Sequence, residues 1–426
     1  MRKPKLEQPP GLEHKETGFV TQVREYQLIT PLFGGGVVPG EADPVTTVRG
    51  TEVRGHLRFW WRATQGGRFN GDLKAMKTAE DELWGTASFV RKNQPEAKTP
   101  QSVQIFIFEN QSGKPDQPFV VSQGKVRPNK KSVVPPYAAF ALQPSNEEAK
   151  KGAQSGSVRV GVTFSLEISF PDEKRNEVQA ALWAWETFGG IGARTRRGFG
   201  ALQCLNIWED DVLQPLSLPA SPNRAVVAQW LDEQVRQHVP QETWPEHVPH
   251  ISSTMSKRII VGSGDAVDLW GDLINALRRF RQSREGNSYG PSHWPESNAI
   301  RNVTISRTSS KSPFLGNKTP RAFFGLPIIF HFPQKGEPED TTLRGTSSER
   351  MASALILRPL ACHQGQAVGL AVVLQGPKLP PDSLVLLEKD GKKTHPADPV
   401  LNSAEARKIK PLRGKTDILE AFLDTL

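Results

Sequence analysis

Two hydrophobic periodicities alternate along the first half of the chain, and together they constrain its fold more than any other feature. Alternation of apolar and polar residues, which is typical of half-buried strands, occupies residues 19–30, 102–110, 157–170 and 200–208. Apolar residues at helical spacing occupy 51–67 and 172–188. The resulting order, β-α-β-β-α-β, predicts a ferredoxin-like unit, in which both helices cover one face of an antiparallel four-stranded sheet. The other face, which RNA-recognition motifs use for binding, would be open.

The second half of the chain is less regular but contains the same kinds of element. Its periodicity predicts helices over 223–237, 266–281 and 416–423 and strands over 326–332, 352–357 and 367–374. We therefore expect an α+β protein of two ferredoxin-like (RRM-like) domains with long loop insertions, of which the second domain is degenerate. Proline and serine interrupt the periodicity over 213–223, so we predict domains at 1–215 and 216–426.

Two insertions have no role that the sequence assigns. The first, 111–156, is rich in Pro, Gly, Ser and Lys and is too long for a hairpin turn, so it is either a functional excursion or partly disordered. The second, 285–320, follows a helix end crowded by Arg278, Arg279, Arg281 and Arg284. Cations favour helix C-termini, which explains these arginines without a ligand.

Charge and cysteine content narrow the class of protein. The 54 Lys and Arg residues exceed the 45 Asp and Glu residues, and the net charge of +9 favours a polyanionic partner wherever it is concentrated. Cys204 and Cys362 lie far apart without metal-ligand spacing, so they support neither a disulfide framework nor a zinc site, and a reducing compartment fits. We also expect no other metal and no cofactor. No apolar run approaches the roughly 20 residues that span a bilayer. We expect a cytoplasmic protein without membrane contact.

The first predicted helix carries arginines beside its apolar face. Arg54, Arg58 and Arg62 recur every fourth residue, Arg49 precedes them, and Glu52 is the only acid between Arg49 and Arg62. A solvated cationic surface is the alternative interpretation, but such surfaces usually intersperse acids for pairing four residues apart. The pattern therefore favours an anion-binding stripe.

Two glycine-rich segments add to this basic character. Gly34, Gly35 and Gly36 lack side chains at successive positions, so a phosphate backbone can approach closely, although a flexible turn is the alternative. Residues 189–200 contain five glycines and three arginines without an acid. This segment lacks a Walker ending and follows a helix rather than a strand, which excludes both the Walker loop and the dinucleotide fingerprint. Its composition favours a polyphosphate chain.

Two residues keep a catalytic interpretation open. His56, among the arginines, and Asp43, in the loop before them, are candidates for acid–base work in RNA cleavage. A packing histidine and an ordinary loop carboxylate are the alternatives. His247, His250 and His293 show no paired ligand pattern, so they predict no metal centre.

The motifs resemble a known family. ITPLFGGG, VRGTEVRGHLRFWWRA and GGIGARTRRGFGAL are together similar to the RAMP superfamily of CRISPR RNA-binding proteins, and LRFWWRA resembles the subunit-one family of the Cmr (type III-B) effector complexes. HWPE, AFFGLPI and residues 350–360 resemble that family's second-domain blocks. The resemblance implies two ferredoxin-like domains in one subunit of a ribonucleoprotein that captures complementary RNA. Its expected partners are guide CRISPR RNA, near the guide's 3′ end, target RNA, and other RAMP subunits.

The resemblance also implies which residues contact RNA. The glycine-rich loop of such proteins meets RNA backbone, and the other basic block lies on the same surface, so the expected RNA-binding residues are Gly34, Gly35, Gly36, Arg49, Arg54, Arg58, Arg62, Gly190, Gly192, Arg194, Arg196, Arg197 and Gly198. Cutting is attributed to the repeated backbone subunit, so a non-catalytic RNA-binding role is expected here. Two alternatives stay open, a RAMP-type endoribonuclease and a structural cap whose aromatic residues pack against neighbouring subunits.

Overall fold

The computed structural model describes residues 18–34, 36, 43, 45–86, 102–286, 290–308, 311–332, 334–389 and 391–426. Within these ranges the α-helices are α1 (Gly50–Gln65), α2 (Leu73–Trp84), α3 (Asn146–Lys150), α4 (Arg175–Phe188), α5 (Arg224–His238), α6 (Ala266–Arg281), α7 (Glu296–Ile305), α8 (Ser403–Lys408) and α9 (Ile418–Leu423). None of these helices combines the length and the apolar character that a membrane span requires.

The strands of the same ranges form four sheets. They are β1 (Phe19–Leu28), β2 (Gln104–Asp116), β3 (Phe119–Ser122), β4 (Lys125–Pro128), β5 (Val158–Pro171), β6 (Leu202–Glu209), β7 (Val212–Leu213), β8 (Lys257–Ile260), β9 (Ile328–Phe330), β10 (Thr341–Gly345), β11 (Leu355–Ala361), β12 (Ala367–Val373), β13 (Leu384–Glu388) and β14 (Thr394–Ala397). The sheet orders are β2-β5-β1-β6-β7, β14-β13-β10-β9, β11-β12-β8 and β3-β4. Neighbouring strands are antiparallel throughout, which confirms the expected mixture of helices and antiparallel sheets.

The first sheet is covered on one face by α1 and α4. Trp60 of α1 lies 6.0 Å from Phe188 of α4 between ring centroids. Trp61 of α1 is also buried, and its indole N–H donates to Glu177 Oε2 at 3.0 Å. Helix α4 ends at Gly189, where a Cβ would come within 2.5 Å of the Trp60 indole nitrogen. A glycine at this helix end therefore allows the two helices to pack closely.

Both predicted insertions contain regular structure. Strand β2 continues to Asp116, beyond its predicted end at 110, and 111–156 then folds into the β3–β4 hairpin and helix α3. The second insertion, 285–320, contains helix α7. Helix α2 was not predicted at all, because its buried Glu80 interrupts the apolar pattern that identifies an amphipathic helix.

The two halves of the chain share their cores. The largest buried cluster combines Trp61 and Phe164 of the first half with Val227, Leu231 and Val372 of the second. Another cluster places Phe199 against Trp270, with ring centroids 4.8 Å apart. The predicted boundary over 213–223 begins at the last residue of β7 and ends just before α5, and residues 214–223 contain neither helix nor strand. The division into domains 1–215 and 216–426 stays a prediction.

A fully buried arginine on β11 joins the second half to the glycine-rich segment. Arg358 Nη1 donates to the Gly189 carbonyl at 2.6 Å, and Nη2 donates to the Leu202 carbonyl at 3.0 Å. Its Nε donates to the Pro359 carbonyl at 2.9 Å. Burial lowers the pKa of Arg358 to about 9, so the guanidinium keeps its charge at neutral pH. One side chain therefore fixes both ends of residues 189–202.

Replacing Arg358 by methionine is expected to lower the free energy of unfolding by about 2–4 kcal/mol, because the Gly189 and Leu202 carbonyls would stay buried without a donor. Denaturant unfolding followed by tryptophan fluorescence measures this change. The control, Arg344→Ala, breaks a pair with the exposed Glu349 and is expected to cost less than about 1 kcal/mol. Equal losses in the two variants would contradict the role of Arg358.

Candidate nucleic-acid interface

The two glycine-rich segments that the sequence singles out lie side by side. The Ala193 N–H donates to the Phe33 carbonyl at 2.8 Å, and the Gly200 N–H donates to the Pro31 carbonyl at 2.9 Å. At Gly192, where φ is +87°, a Cβ would come within 2.7 Å of the Phe33 carbonyl oxygen. This approach of two backbones requires glycine.

The remaining glycines of the predicted site differ in exposure. Gly34, Gly190 and Gly198 are buried, and Gly36 is half-buried. A Cβ on Gly198 would come within 2.6 Å of the Trp270 side chain. Gly190 and Gly198 therefore serve close packing, and their contact with RNA stays a prediction that this burial does not favour. Gly35 lies outside the described residues.

The arginine stripe of α1 faces α2. Arg58 Nε lies 2.7 Å from Glu80 Oε1 and its Nη2 lies 3.0 Å from Asp81 Oδ1, while Arg62 also forms an ion pair with Glu80. Arg54 Nη1 donates to the Trp84 carbonyl at 3.1 Å. No acid lies between Arg54 and Arg62 in the sequence, but in the fold helix α2 places carboxylates beside Arg58 and Arg62. The RNA-binding role of Arg54, Arg58 and Arg62 stays a prediction that these contacts do not favour.

Residues around the start of α1 include both catalytic candidates. Arg49 is the half-buried residue that precedes the helix. Glu52 accepts a hydrogen bond from the Gly192 N–H at 2.9 Å, and His56 Nε2 lies 3.9 Å from the same carboxylate. Asp43 accepts hydrogen bonds from the N–H groups of two residues of its own turn, and these bonds lower the pKa of its carboxyl. Across the described ranges, no three His, Cys, Asp or Glu residues are grouped to hold a metal ion.

The arginines of the second glycine-rich segment have a different environment. Arg194 Nη1 donates to the Ala138 carbonyl at 3.4 Å, Arg197 Nη2 donates to the Phe324 carbonyl at 2.7 Å, and Arg196 donates to the Ser353 carbonyl. Within the described part of the chain, none of the three pairs with a carboxylate. Backbone carbonyls, and aromatic rings beside Arg194 and Arg196, therefore compensate their charge in place of carboxylates.

Burial affects the ionisation of these arginines. It lowers the pKa of Arg194 and lowers the pKa of Arg196 to about 10. The pKa of Arg197 falls to about 9, first through burial and then through the positive charges of Arg281, Arg194 and Arg196. All three keep their charge at neutral pH. Half-buried positive charge without a carboxylate partner attracts an anion.

Arg281 belongs to the same cluster of arginines but was not among the predicted site residues. It closes α6, where the preference of cations for helix C-termini accounts for it, and its contribution to the Arg197 pKa arises from tertiary packing. The only sequence signal was the crowding of arginines at 278–284. Arg278 and Arg279 are exposed, whereas Arg281 is half-buried.

Comparison with family models supports the predicted resemblance to the RAMP superfamily. Residues 25–203, which include both glycine-rich segments and helices α1, α2 and α4, match the model of the RAMP superfamily. The predicted resemblance is thereby confirmed for this part of the chain.

Particular relatives come from Pyrococcus furiosus. The CRISPR system Cmr subunit Cmr1-2 is 27% identical over 190 residues, which cover 42% of this chain and 92% of that protein. The subunit Cmr1-1 is 24% identical over 177 residues, which cover 41% of this chain and about half of that protein, 46%.

Two solved structures also align with most of this chain. The crystal structure of apo Cmr1 from Pyrococcus furiosus aligns with a TM-score of 0.48 and 14% identity, covering 85% of this chain and 89% of that chain. A chain from the type III-B Cmr-beta complex bound to cognate target RNA aligns with a TM-score of 0.49 and 11% identity, covering 95% of this chain and 99% of that chain.

Replacing Arg58 by alanine is expected to destabilise the protein and to leave the RNA affinity of the folded molecules within about twofold of wild type. The variant leaves Glu80, which is 1% exposed, without one of its two arginines, so the free energy of unfolding should fall by about 2–4 kcal/mol. Thermal unfolding and RNA titration at a temperature where both proteins are folded measure the two effects. Lys77→Ala, which breaks an exposed pair with Asp81, is the control. If the Arg58→Ala variant is as stable as wild type but no longer binds RNA, the arginines of α1 belong to the RNA-binding surface after all.

Proposed function

We propose that this chain is a non-catalytic RNA-binding subunit of a type III-B CRISPR ribonucleoprotein, where it contacts guide and target RNA near the guide's 3′ end and helps capture complementary RNA in antiviral defence. The observation that carries the proposal is the set Arg194, Arg196 and Arg197, whose charges lack carboxylate partners in the described structure. The RAMP match over 25–203 and the 27% identity with a CRISPR Cmr subunit support the type of complex.

The proposed contact is with the RNA backbone. Arginine side chains that extend from a glycine-rich segment match phosphate oxygens, which every nucleotide carries, and phosphate contacts position a protein without reading sequence. Guide and target RNA both present such a backbone, so the same surface suits either strand or their duplex.

We propose a ferredoxin-like unit for the first half and a degenerate one for the second. The order β2-β5-β1-β6, with antiparallel neighbours and α1 and α4 packed together, supports the first assignment. Support for the second is limited to the three-stranded sheet β11-β12-β8, against which α6 packs.

The open face of the first sheet suits a neighbouring protein subunit better than RNA. The strand register aligns Phe106, Glu167, Val23 and Trp208 in one row across this face. Phe106 is 52% exposed, which suits a protein contact, whereas the carboxylate of Glu167 in the same row would repel phosphate. Contact with other RAMP subunits through this face is therefore part of the proposal.

The alternative is an endoribonuclease that uses His56 or Asp43. The contact that favours it is the 3.9 Å approach of His56 Nε2 to the Glu52 carboxylate, beside the Gly192 backbone. A denaturing gel of the RNA after each binding reaction separates the two functions, because a binding subunit leaves the RNA intact.

The full chain is expected to bind single-stranded RNA with strong salt dependence, and the triple variant Arg194/Arg196/Arg197→Ala should lose part of it. Each phosphate contact contributes about 0.7 to the slope of log affinity against log salt, so the slope should become shallower by about 2. Fluorescence anisotropy across a salt series measures both slopes, and circular dichroism checks that the variant is folded.

A matched control removes the same charge from the β13–β14 turn, through Lys389/Lys392/Lys393→Ala, and should keep the wild-type slope. Failure of the folded wild-type chain to bind RNA at low salt would contradict the proposal. RNA cut by wild type but not by His56→Ala would favour the endoribonuclease.

A further inference from the structure

The insertion 111–156 packs on the glycine-rich segments. Phe119, Val134 and Leu142 of the insertion share a buried cluster with Phe33 and Phe199, which lie in or beside the two glycine-rich segments. The Arg194 guanidinium donates to the insertion's Ala138 carbonyl. Residues 133–142 therefore form one wall of the candidate RNA surface.

An exposed aromatic ring stands on this wall. Phe140 is 57% exposed, and the Arg194 guanidinium carbon lies 4.6 Å from its ring centroid. The same guanidinium lies 5.7 Å from the buried Phe33 ring. Arg194 thus connects an exposed ring to the core and holds it in place, while most of the Phe140 ring stays accessible. Aromatic rings in this arrangement stack with unpaired bases irrespective of sequence.

Two guanidinium groups of the same region have unused donors. In the described structure, Arg197 Nη1 and Arg281 Nε are shielded from solvent and lack a hydrogen-bond acceptor. Arg281 Nη1 donates to the Tyr137 hydroxyl at 3.1 Å, and its guanidinium lies 5.4 Å from the Phe324 ring, whose residue provides the carbonyl bound by Arg197. Buried donors without acceptors are costly, and the positive charges of Arg197 and Arg281 repel each other, so a phosphate beside this pair would offset the repulsion.

We propose that Tyr137 and Phe140 of the insertion, with Arg194, Arg197 and Arg281, form a site for one unpaired RNA nucleotide. Its base stacks on Phe140, and Arg197 and Arg281 bind its phosphate. This inference rests on the proposed RNA-binding function and deepens it, because it assigns the insertion a contact with a base in addition to the backbone. Stacking is insensitive to base identity, so the site holds an unpaired nucleotide of any sequence.

The test compares an oligouridylate with an abasic oligomer of the same length, both titrated against the full chain. Phe140→Ala should weaken oligouridylate binding about 5- to 100-fold and leave abasic binding unchanged, since only a base can stack. Phe140→Trp should restore oligouridylate binding. Phe106→Ala, which removes an equally exposed ring from the open sheet face, is the control.

The phosphate part is tested by Arg281→Ala against Arg279→Ala on the same helix. The Arg281 variant should weaken both oligomers and make the salt slope shallower by about 0.7, and the exposed Arg279 variant should change neither. If Phe140→Ala and Arg281→Ala bind like wild type while Arg194/Arg196/Arg197→Ala is impaired, the nucleotide site is wrong and the proposed function stands. If folded wild type binds neither oligomer, both proposals fail.

Discussion

The contact of Arg358 with both ends of residues 189–202 determines how the rest of the structure is arranged. Its guanidinium holds the Gly189 and Leu202 carbonyls, which lie at the end of α4 and the start of β6. Because the arginine belongs to β11, the glycine-rich segment is fixed by the second half of the chain. Arg197 adds a bond to Phe324, and Trp270 donates to the Arg197 carbonyl at 2.7 Å. The candidate RNA surface is thus built at the junction of the two halves.

Elements with an amphipathic face were predictable from the sequence. Helix α6 occupies 266–281 as its apolar spacing predicts, and α5, predicted over 223–237, occupies Arg224–His238. Such a helix buries its apolar face whichever element of the chain packs against it, so its spacing of apolar residues can be recognised in the sequence before the packing is known. Helix α2 escaped prediction because Glu80 on its buried side is stabilised by Arg58 and Arg62, and that pairing exists only after folding.

The candidate site was predictable in composition but not in its charge balance. Along the chain, the arginine run of α1 contains one acid, Glu52, and the run of residues 189–200 contains none. In the fold, helix α2 places carboxylates against Arg58 and Arg62, whereas carbonyls and aromatic rings surround Arg194, Arg196 and Arg197. Neighbours in sequence therefore predict the solvation of a charge poorly. Tyr137 and Arg281 were not predicted as site residues, because only long-range packing brings them to the glycine-rich segment.

Three buried arginines differ in how neighbouring groups balance their positive charge. This difference distinguishes the two arginines with structural roles from the one proposed to bind RNA. Burial lowers the pKa of Arg24, but the attraction and hydrogen bond of Glu186, together with the attraction of Tyr26 and Cys204, outweigh it and raise this pKa above its ordinary value. Arg358 has no carboxylate bond, yet carbonyls accept from all three of its guanidinium nitrogens. Arg197 differs from both, because one of its nitrogens lacks an acceptor and the charges around it are positive. Every guanidinium nitrogen of Arg24 and Arg358 thus has an acceptor, whereas the buried Arg197 Nη1 has none among the described residues, and a phosphate bound at this arginine cluster would offset its positive charge.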